Sequence, residues 1–422
     1  MVVSKKERIY TAIDIGTTKV ATLVCRMGPG GIEILAAGHS RSEGMQKGLV
    51  VEPDLLKQSV SASIKDAESL LGKRLSSAHI GVTGAHLSCA NAQGSFTSNS
   101  KINQPKSFTL DDVDTLLKST AGSSLPGQQL VQIIPRSFVV DGVTKVLDPV
   151  GIKGSRLSVE THVVVGDSEP LESLARVIRS AGIEIKSMVL EHLASAEAVL
   201  TANEKETGVI LVDIGGGTSD MVVYKNGSIW YTNAIPVAGQ HFTSDIVTGL
   251  GLLPSIAEST KVNYGSALTE GVDNEAAIEV ETGLGGHTRF VSQLALNRLI
   301  RDRATELARM IMHKLAETGL KHLPPAGIVL TGGSAALPGI IEIVAEQGKC
   351  PVRLGAPSHA LGLPGELEHS SFSTAIGLLL WTLKHKHAGT FAPSIKMSER
   401  VTLHAKRLVA RLEMEQPTQI KV

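Results

Sequence analysis

The chain has 422 residues, and its 41 lysine and arginine residues equal its 41 aspartate and glutamate residues in number. This balance gives no bulk electrostatic reason to expect a nucleic-acid partner. Charged residues make up 19% of the chain and hydrophobic residues 42%, which excludes a largely disordered protein and leaves room for two large α/β lobes. Cys25, Cys89 and Cys350 have no paired spacing, so we expect neither a disulfide framework nor a zinc site.

Two short segments in different halves of the chain have nearly the same sequence, Asp14–Thr18 (DIGTT) and Asp213–Thr218 (DIGGGT). Each lies between two β-branched runs, which predicts a strand, a tight glycine turn and a second strand. Glycine there permits a positive φ and lets backbone N–H groups approach an anion. The aspartate can hold a hydrated divalent cation. Two such hairpins facing each other would bind the phosphates and metal of a nucleotide from both sides.

Neither segment is a GxxxxGK[ST] loop, and neither is a GxGxxG sequence that opens a helix after a single strand. One Asp-x-Gly turn alone is weak support for a ligand, because such turns are common in hairpins that bind nothing. The duplication, with the same flanking pattern, favours a ligand-binding role.

Further segments accompany the two turns in order. The set comprises the first turn Asp14–Thr18, a connecting helix at 189–196, the second turn Asp213–Asp220, a turn at 329–340 and a second connecting helix at 374–379. In this order they resemble the five motifs of the actin, Hsp70 and sugar-kinase superfamily of ATP-binding proteins. The resemblance implies an α/β, actin-like, two-lobed ATPase fold built from duplicated ribonuclease-H-like domains, with ATP and Mg²⁺ as cofactors.

The resemblance also implies which residues contact the nucleotide. Those expected at the phosphates are Gly16, Thr17, Thr18, Lys19, Gly215, Gly216, Gly217 and Thr218. Those expected at the adenosine are Glu258, Lys261, Gly332, Gly333 and Ser334. Asp14 and Asp213 are expected to hold Mg²⁺ through water, because this ion gives up its hydration shell reluctantly.

Glu191 matches the position that orients or deprotonates the attacking water in ATP-hydrolysing relatives, so it is the expected catalytic residue. The sequence departs from the pattern at the next position, where His192 stands in place of the usual proline. Because proline would fix the start of the helix, we expect slow hydrolysis at most, with ATP acting mainly as a conformational ligand.

A local pattern distinguishes residues 85–162 from the rest of the first lobe. It predicts a strand at Ser88–Thr97, a helix near Leu110–Ser119, a strand at Val131–Gly142 and a last strand to Val165. Sugar kinases and Hsp70 lack such an insert. The pattern resembles the FtsA family of bacterial cell-division proteins, actin homologues with an extra inserted subdomain in lobe one.

This interpretation divides the chain into eight segments. They are the lobe-one core at 8–84 and 163–200, the inserted subdomain at 85–162, the lobe-two core at 201–235 and 319–370, the lobe-two outer subdomain at 236–318, a return helix at 371–390, and a linker with an amphipathic tail at 391–422.

Membership of the FtsA family would imply a cytoplasmic protein, peripheral on the inner face of the cell membrane at the division septum. Such a protein polymerises, tethers filaments of the tubulin homologue FtsZ to the membrane and recruits later septum-building proteins. The resemblance places the FtsZ C-terminal tail on the lobe-two outer subdomain, with Arg303 as the carried-over contact. The alternative for Arg303 and its neighbouring arginines is a solvated basic helix face that pairs with Asp302 and Glu306.

The end of the chain contains a candidate helix at 398–414. Its apolar side carries the residues expected to face the membrane, Val401, Leu408, Val409 and Leu412, together with Ala405. A basic face suited to anionic lipid lies opposite, so we expect weak peripheral membrane binding. The alternative is a helix packed on the body, or a frayed tail.

Three other functions share parts of this pattern. A small-molecule kinase would share the phosphate turns but not the insert. An Hsp70-type chaperone needs a β-rich substrate domain after the ATPase body, and too little sequence follows Trp381 for one. The type IV pilus scaffold related to FtsA shares the insert, so it is the main alternative. It lacks a terminal basic amphipathic helix and is usually shorter, which favours the cell-division interpretation.

Overall fold

The computed structural model describes residues 9–28, 31–97, 105–122, 126–146, 148–281, 287–358 and 362–384. The predicted tail, including Val401, Leu408, Val409 and Leu412, lies outside the described residues. Among the described residues the chain forms two compact units, one built from residues 9–85 and 176–384 and the other from His86–Ala175.

Strands and helices are mixed along the whole described chain. The strands are β1 Ile9–Ile15, β2 Lys19–Gly28, β3 Gly31–Arg41, β4 Met45–Gln46, β5 Leu49–Val50, β6 Ser77–Val82, β7 Leu87–Thr97, β8 Lys106–Ser107, β9 Gln128–Val140, β10 Thr144–Val146, β11 Lys153–Gly154, β12 Arg156–Asp167, β13 Glu184–Leu190, β14 Val209–Ile214, β15 Ser219–Lys225, β16 Ser228–Ile235, β17 Ala277–Glu281, β18 Thr288–Ser292, β19 Ile328–Thr331 and β20 Val352–Leu354. The helices are α1 Pro53–Leu71, α2 Leu110–Thr120, α3 Ser168–Ser180, α4 Glu191–Val199, α5 Ala202–Thr207, α6 Gly239–Leu250, α7 Pro254–Tyr264, α8 Gln293–Ala316, α9 Ile340–Gly348 and α10 Ser373–Lys384.

The first unit contains the same five-stranded sheet twice. Lobe one has the strand order β13-β6-β1-β2-β3, and lobe two has the order β20-β19-β14-β15-β16. In each lobe the two hairpin pairings are antiparallel and the other two are parallel. The repeated order confirms the predicted duplication and the actin-like two-lobed fold.

Both predicted hairpins form, because the β-branched runs pair directly across the glycine turns. Asp14 lies opposite Ala21 at the end of β1, and Asp213 lies opposite Asp220 at the end of β14. Every residue of β14 is buried, as expected for a central strand covered on both faces. The two aspartates therefore emerge at matching places in the two lobes.

Local sequence signals set the boundaries of several helices. α1 and α7 begin with Pro53 and Pro254, whose fixed φ suits the first helical position. α1 ends at Leu71 and is capped by Gly72, which adopts the left-handed conformation with φ 73°. None of the described helices combines the length and the apolar character needed to cross a membrane.

Helices α4 and α10 cross at very short range. A Cβ on Gly377 of α10 would lie 1.9 Å from the Ala194 carbonyl oxygen of α4, so only glycine permits this approach. The crossing joins the helix that begins at Glu191 to the last described helix of the chain.

The second unit is the inserted subdomain, a four-stranded antiparallel sheet in the order β10-β9-β12-β7 with α2 on one face. The Thr109 hydroxyl accepts from the Asp112 N–H, and the Asp112 carboxylate accepts from the Thr109 N–H, so a capping box starts α2. Its core is apolar and comprises Phe108, Leu116, Leu117, Ile133, Phe138, Val140, Leu157 and Val159. The predicted order of strand, helix, strand and strand is present.

Candidate functional site

A cavity of about 490 Å³ lies between the two lobes of the first unit. All the residues expected at the nucleotide line it except Gly217 and Thr218. Those present are Asp14, Gly16, Thr17, Thr18, Lys19, Glu191, Asp213, Gly215, Gly216, Glu258, Lys261, Gly332, Gly333 and Ser334. Residues distant in sequence therefore meet at one place, as ligand sites at domain interfaces commonly do.

The two glycine turns face each other across this cavity. A Cβ on Gly216 would lie 2.5 Å from the Thr18 methyl, and one on Gly217 would lie 2.4 Å from the Thr17 hydroxyl. The turn glycines do not have a positive φ, so that part of the prediction is wrong. At Gly216 and Gly217 glycine instead permits a close approach to the threonines of the first turn, which a Cβ would clash with.

Each turn is closed by a hydrogen bond between its own backbone groups. The Gly16 N–H donates to the Lys19 carbonyl and the Gly215 N–H donates to the Thr218 carbonyl, both at 3.0 Å. These two N–H groups are therefore engaged inside the turns, although both glycines line the cavity. The Thr218 hydroxyl is directed to Asp220 at 2.9 Å, which explains why it does not line the cavity.

The carboxylates at the ends of the two hairpins are buried, each 7% exposed. Asp213 accepts hydrogen bonds from Ser195 of α4 at 2.5 Å and from Thr374 of α10 at 3.2 Å. Burial raises its pKa. Burial also raises the pKa of Asp14 to about 7, with the Lys19 charge opposing the shift and Asp213 adding to it.

Two further carboxyl groups share this environment. Burial raises the pKa of Asp220 to about 7. Glu191 stands at the cavity wall, where burial and then the charges of Asp14, Asp220 and Asp213 raise its pKa well above the usual range. A Cβ on Gly81 would lie 3.0 Å from the Glu191 Cγ, so the glycine in β6 provides the space that Glu191 occupies.

This donor set fits a magnesium ion. Four acidic side chains lie close together, and oxygen ligands are those Mg²⁺ prefers. A cation there would lower the cost of ionising these carboxyl groups further than Lys19 and the hydrogen bonds to them already do. Within the described residues no three His, Cys, Asp or Glu side chains are arranged to bind a metal directly. A bound Mg²⁺ would therefore keep its water, held by Asp14 and Asp213.

The opposite end of the cavity combines polar anchors with an apolar wall. The Lys261 ammonium donates to Glu258 at 2.8 Å, to the Gly239 carbonyl at 3.0 Å and to Thr243 at 2.9 Å. The Ser334 hydroxyl donates to the Gly215 carbonyl at 2.8 Å, which ties the predicted adenosine turn to the second phosphate turn. The wall comprises Phe242, Val262, Leu337 and Pro338. This end fits a purine with its ribose.

Lys19 has partners that the sequence did not indicate. Its ammonium donates to the Ser371 carbonyl at 2.7 Å and lies 3.4 Å from the centre of the Phe372 ring. Burial lowers its pKa to about 8, while Asp14 and Asp213 raise it. The charge expected at the phosphates is thus engaged with the segment that precedes α10.

Other residues that hydrogen-bond the buried carboxylates were also missed. Ser195 and Thr374 lie inside the two connecting-helix segments, so their motifs could have indicated them. Thr83, whose hydroxyl donates to Asp220 at 2.5 Å, has no such local signal.

Arg303 lies outside the cavity, in a depression of about 370 Å³ between α6 and α8. Its guanidinium donates to both carboxylate oxygens of Asp245, at 2.6 and 2.8 Å, and also contacts Glu306. Its contact with Glu306 agrees with the alternative, in which the arginines pair with acidic residues of their own helix. Asp302, the other acidic residue named in that alternative, lines the same depression. Leu299 adds one apolar side chain to the lining.

Comparisons with known proteins agree with this architecture. The family model "Cell division protein FtsA" matches residues 210–377, and the model "SHS2 domain inserted in FTSA" matches residues 84–165. The chain is 33% identical to cell division protein FtsA of Pseudomonas aeruginosa, over 90% of this chain and 91% of that protein. It is 31% identical to the Escherichia coli K12 protein of the same name, over 98% of each chain.

Solved structures show the same fold at lower identity. A chain of a PilM-PilN type IV pilus biogenesis complex is 17% identical with a TM-score of 0.64, over 88% of this chain and 97% of that one. MreB5 of Spiroplasma citri, solved bound to AMPPNP, is 15% identical with a TM-score of 0.52, over 90% and 97%. Identity of 31–33% to curated relatives over nearly the full length, with both family models matched, shows that the chain belongs to the FtsA family of cell-division proteins.

Proposed function

We propose that this protein binds Mg-ATP in the cavity between its lobes and uses it mainly as a conformational ligand in cell division. The observation that carries the proposal is that two facing glycine turns, two hairpin aspartates and the polar and apolar residues of a purine site line one cavity. The MreB5 structure, which has the same fold, was solved bound to AMPPNP, which supports a nucleotide as the ligand.

Hydrolysis in this proposal is slow at most, and Glu191 is its general base. A general base must be ionised, and burial with three neighbouring carboxylates raises the Glu191 pKa well above its usual range. When Mg²⁺ is bound, its charge favours ionised carboxylates and polarises the phosphates. The chain's own contribution is to hold α4, the helix that begins at Glu191, against Asp213 through the hydrogen bond that Ser195 donates.

In the cell, we propose that the protein polymerises through head-to-tail contacts, which do not close. The polymer would tether FtsZ filaments to the inner face of the cytoplasmic membrane at the septum and recruit later septum-building proteins. The FtsZ C-terminal tail would bind the depression between α6 and α8, and the tail of this chain would contact lipid weakly.

The nucleotide proposal is tested by titration calorimetry of the full chain with MgATP. Saturable binding that weakens in Asp14→Asn supports it, and no heat at tens of micromolar ATP contradicts it. Asp66→Asn is a matched control, because Asp66 is a carboxylate of α1 that binds the His39 N–H instead of lining the cavity.

The partner proposal is tested by fluorescence anisotropy of a labelled FtsZ C-terminal peptide. Arg303→Ala should weaken binding and Arg298→Ala, an exposed arginine of the same helix, should not. A peptide from the N-terminus of a pilus membrane protein serves as the competing probe, and binding of that peptide alone would favour the pilus scaffold.

The membrane role is tested by co-sedimentation with anionic liposomes. Deletion of 398–422 should abolish co-sedimentation, and unchanged binding would contradict the membrane role.

A further inference from the structure

The Lys19 ammonium lies between two sets of groups, the carboxylates of the cavity and the segment that precedes α10. It lines the cavity beside Asp14 and Asp213, yet its hydrogen bond goes to the Ser371 carbonyl and its charge lies over the Phe372 ring. A carbonyl and a ring face replace water only partly, and burial accordingly lowers the pKa of Lys19 to about 8. Phosphate oxygens would be stronger acceptors for the same ammonium.

The residues that hold Lys19 belong to a short connected segment. Ser370 donates to the Gly332 carbonyl at 2.9 Å, which ties the segment to the predicted adenosine turn. His369 accepts from the Ser371 N–H and lines the cavity. The segment continues directly into α10 at Ser373, so a change in its anchoring acts on the start of that helix.

Helix α10 is bonded to the rest of the site along its length. Thr331 donates to Ser373 at 2.7 Å, and Thr374 donates to Asp213. Gly377 packs on the Ala194 carbonyl, and Lys384 at the other end pairs with Glu197 of α4. The start of α10 is therefore linked both to a predicted metal-holding carboxylate and to the helix that carries Glu191.

From this geometry we propose that the Ser371 carbonyl and the Phe372 ring form an internal docking site for the Lys19 ammonium, and that nucleotide phosphate competes for it. Phosphate draws Lys19 away and frees the segment 369–372 at the start of α10. The inference rests on the proposed nucleotide binding and adds a regulatory contact to it. The last described helix of the chain then responds to the phosphates rather than to the adenosine.

The docking contact is tested without any nucleotide. Hydrogen–deuterium exchange of the peptide covering 369–376 should be about tenfold faster in Lys19→Met than in wild type, because a charge-assisted hydrogen bond is lost. Lys19→Arg, which keeps the charge, should restore slow exchange. Equal exchange in wild type and Lys19→Met would overturn the docking site.

The competition is tested with two ligands on the wild-type protein. MgATP should speed exchange of 369–376, and adenosine, which has no phosphate, should not. Equal effects of the two ligands would overturn the competition. Failure of MgATP to bind in titration calorimetry would overturn the proposed function and the competition with it, whereas the ligand-free comparison tests the docking contact by itself.

Phe372 offers a second, independent pair of variants. Phe372→Leu removes the ring face and should tighten MgATP binding by up to about tenfold, the effect of losing a partly desolvated cation–π contact. Phe372→Tyr keeps the ring and should bind MgATP as wild type does. Adenosine affinity should be the same in both variants. Weaker or unchanged MgATP binding in Phe372→Leu would contradict the proposal.

Discussion

The Thr83 hydroxyl donates a hydrogen bond to the Asp220 carboxylate, with 2.5 Å between the two oxygens. Thr83 follows β6 of lobe one and Asp220 belongs to β15 of lobe two, so the bond crosses between the lobes beside the glycine turns. Thr218 donates to the other Asp220 oxygen at 2.9 Å. Burial raises the pKa of Asp220 to about 7, and both hydrogen bonds oppose that rise.

We expect Thr83→Val to destabilise the protein. Valine fills the same volume but leaves a buried carboxylate without one of its two donors, a loss of about 1–2 kcal/mol in the free energy of unfolding. Urea unfolding at pH 8 measures it, and Thr83→Ser should remain close to wild type. Equal stability of Thr83→Val and wild type would mean that the bond contributes nothing.

A second prediction concerns the space around Glu191. Alanine at position 81 would bring a Cβ within 3.0 Å of the Glu191 Cγ, so the side chain must shift. Misplacing a catalytic group by a fraction of an ångström should lower the ATP hydrolysis rate by about tenfold, while ATP affinity stays near wild type. Gly365→Ala is the matched control, since a Cβ there meets no atom within 4 Å. Equal rates in both variants would remove Glu191 from the catalytic role.

The crossing of α4 and α10 leads to a prediction of larger effect. A Cβ at position 377 would overlap the Ala194 carbonyl, and backbone atoms cannot rotate away as a side chain can. The two helices must separate, so Gly377→Ala should cost about 3 kcal/mol or more in the free energy of unfolding. Thermal unfolding against Gly365→Ala tests it, and a melting temperature within the error of that control would contradict the packing.

The hairpins were predictable because β-branched runs and a glycine turn are local signals, and their repetition in the two halves indicated the duplicated fold. The role of the turn glycines was not predictable, because the sequence cannot distinguish a positive φ from a close approach such as that of Gly216 to Thr18. The bonds from Lys19 to Ser371 and from Thr83 to Asp220 join residues distant in sequence. No local periodicity encodes such pairs, since they depend on how the two lobes meet.

The inserted subdomain should lose stability as the pH falls through one defined range. Burial, with the nearby Arg136 charge, lowers the pKa of His162 to about 4 from its ordinary 6.5. Above pH 6.5 the imidazole is neutral whether the protein is folded or unfolded. Between pH 6.5 and about 4 only the unfolded chain binds the proton, so the free energy of unfolding falls by up to about 3 kcal/mol. Below that range both states are protonated and the loss stops.

The measurement is urea unfolding at steps between pH 7.5 and 4, for wild type and His162→Gln. The variant should lack this part of the pH dependence. Burial also lowers the pKa of His79 in the first unit to about 4, so its contribution remains in both proteins and cancels in the difference. A difference in stability between the two proteins that does not change with pH would contradict the assignment to His162.

The last prediction concerns magnesium. Asp213→Asn keeps the volume and one acceptor oxygen for Ser195 and Thr374, but removes the charge that would hold the hydrated ion. We expect MgATP affinity to fall about 10- to 100-fold, as when outer-shell partners of a metal are removed. EDTA should weaken ATP binding to wild type by a similar factor and have little further effect on the variant. If EDTA weakened binding to Asp213→Asn as much as to wild type, the ion would be held by groups other than Asp213.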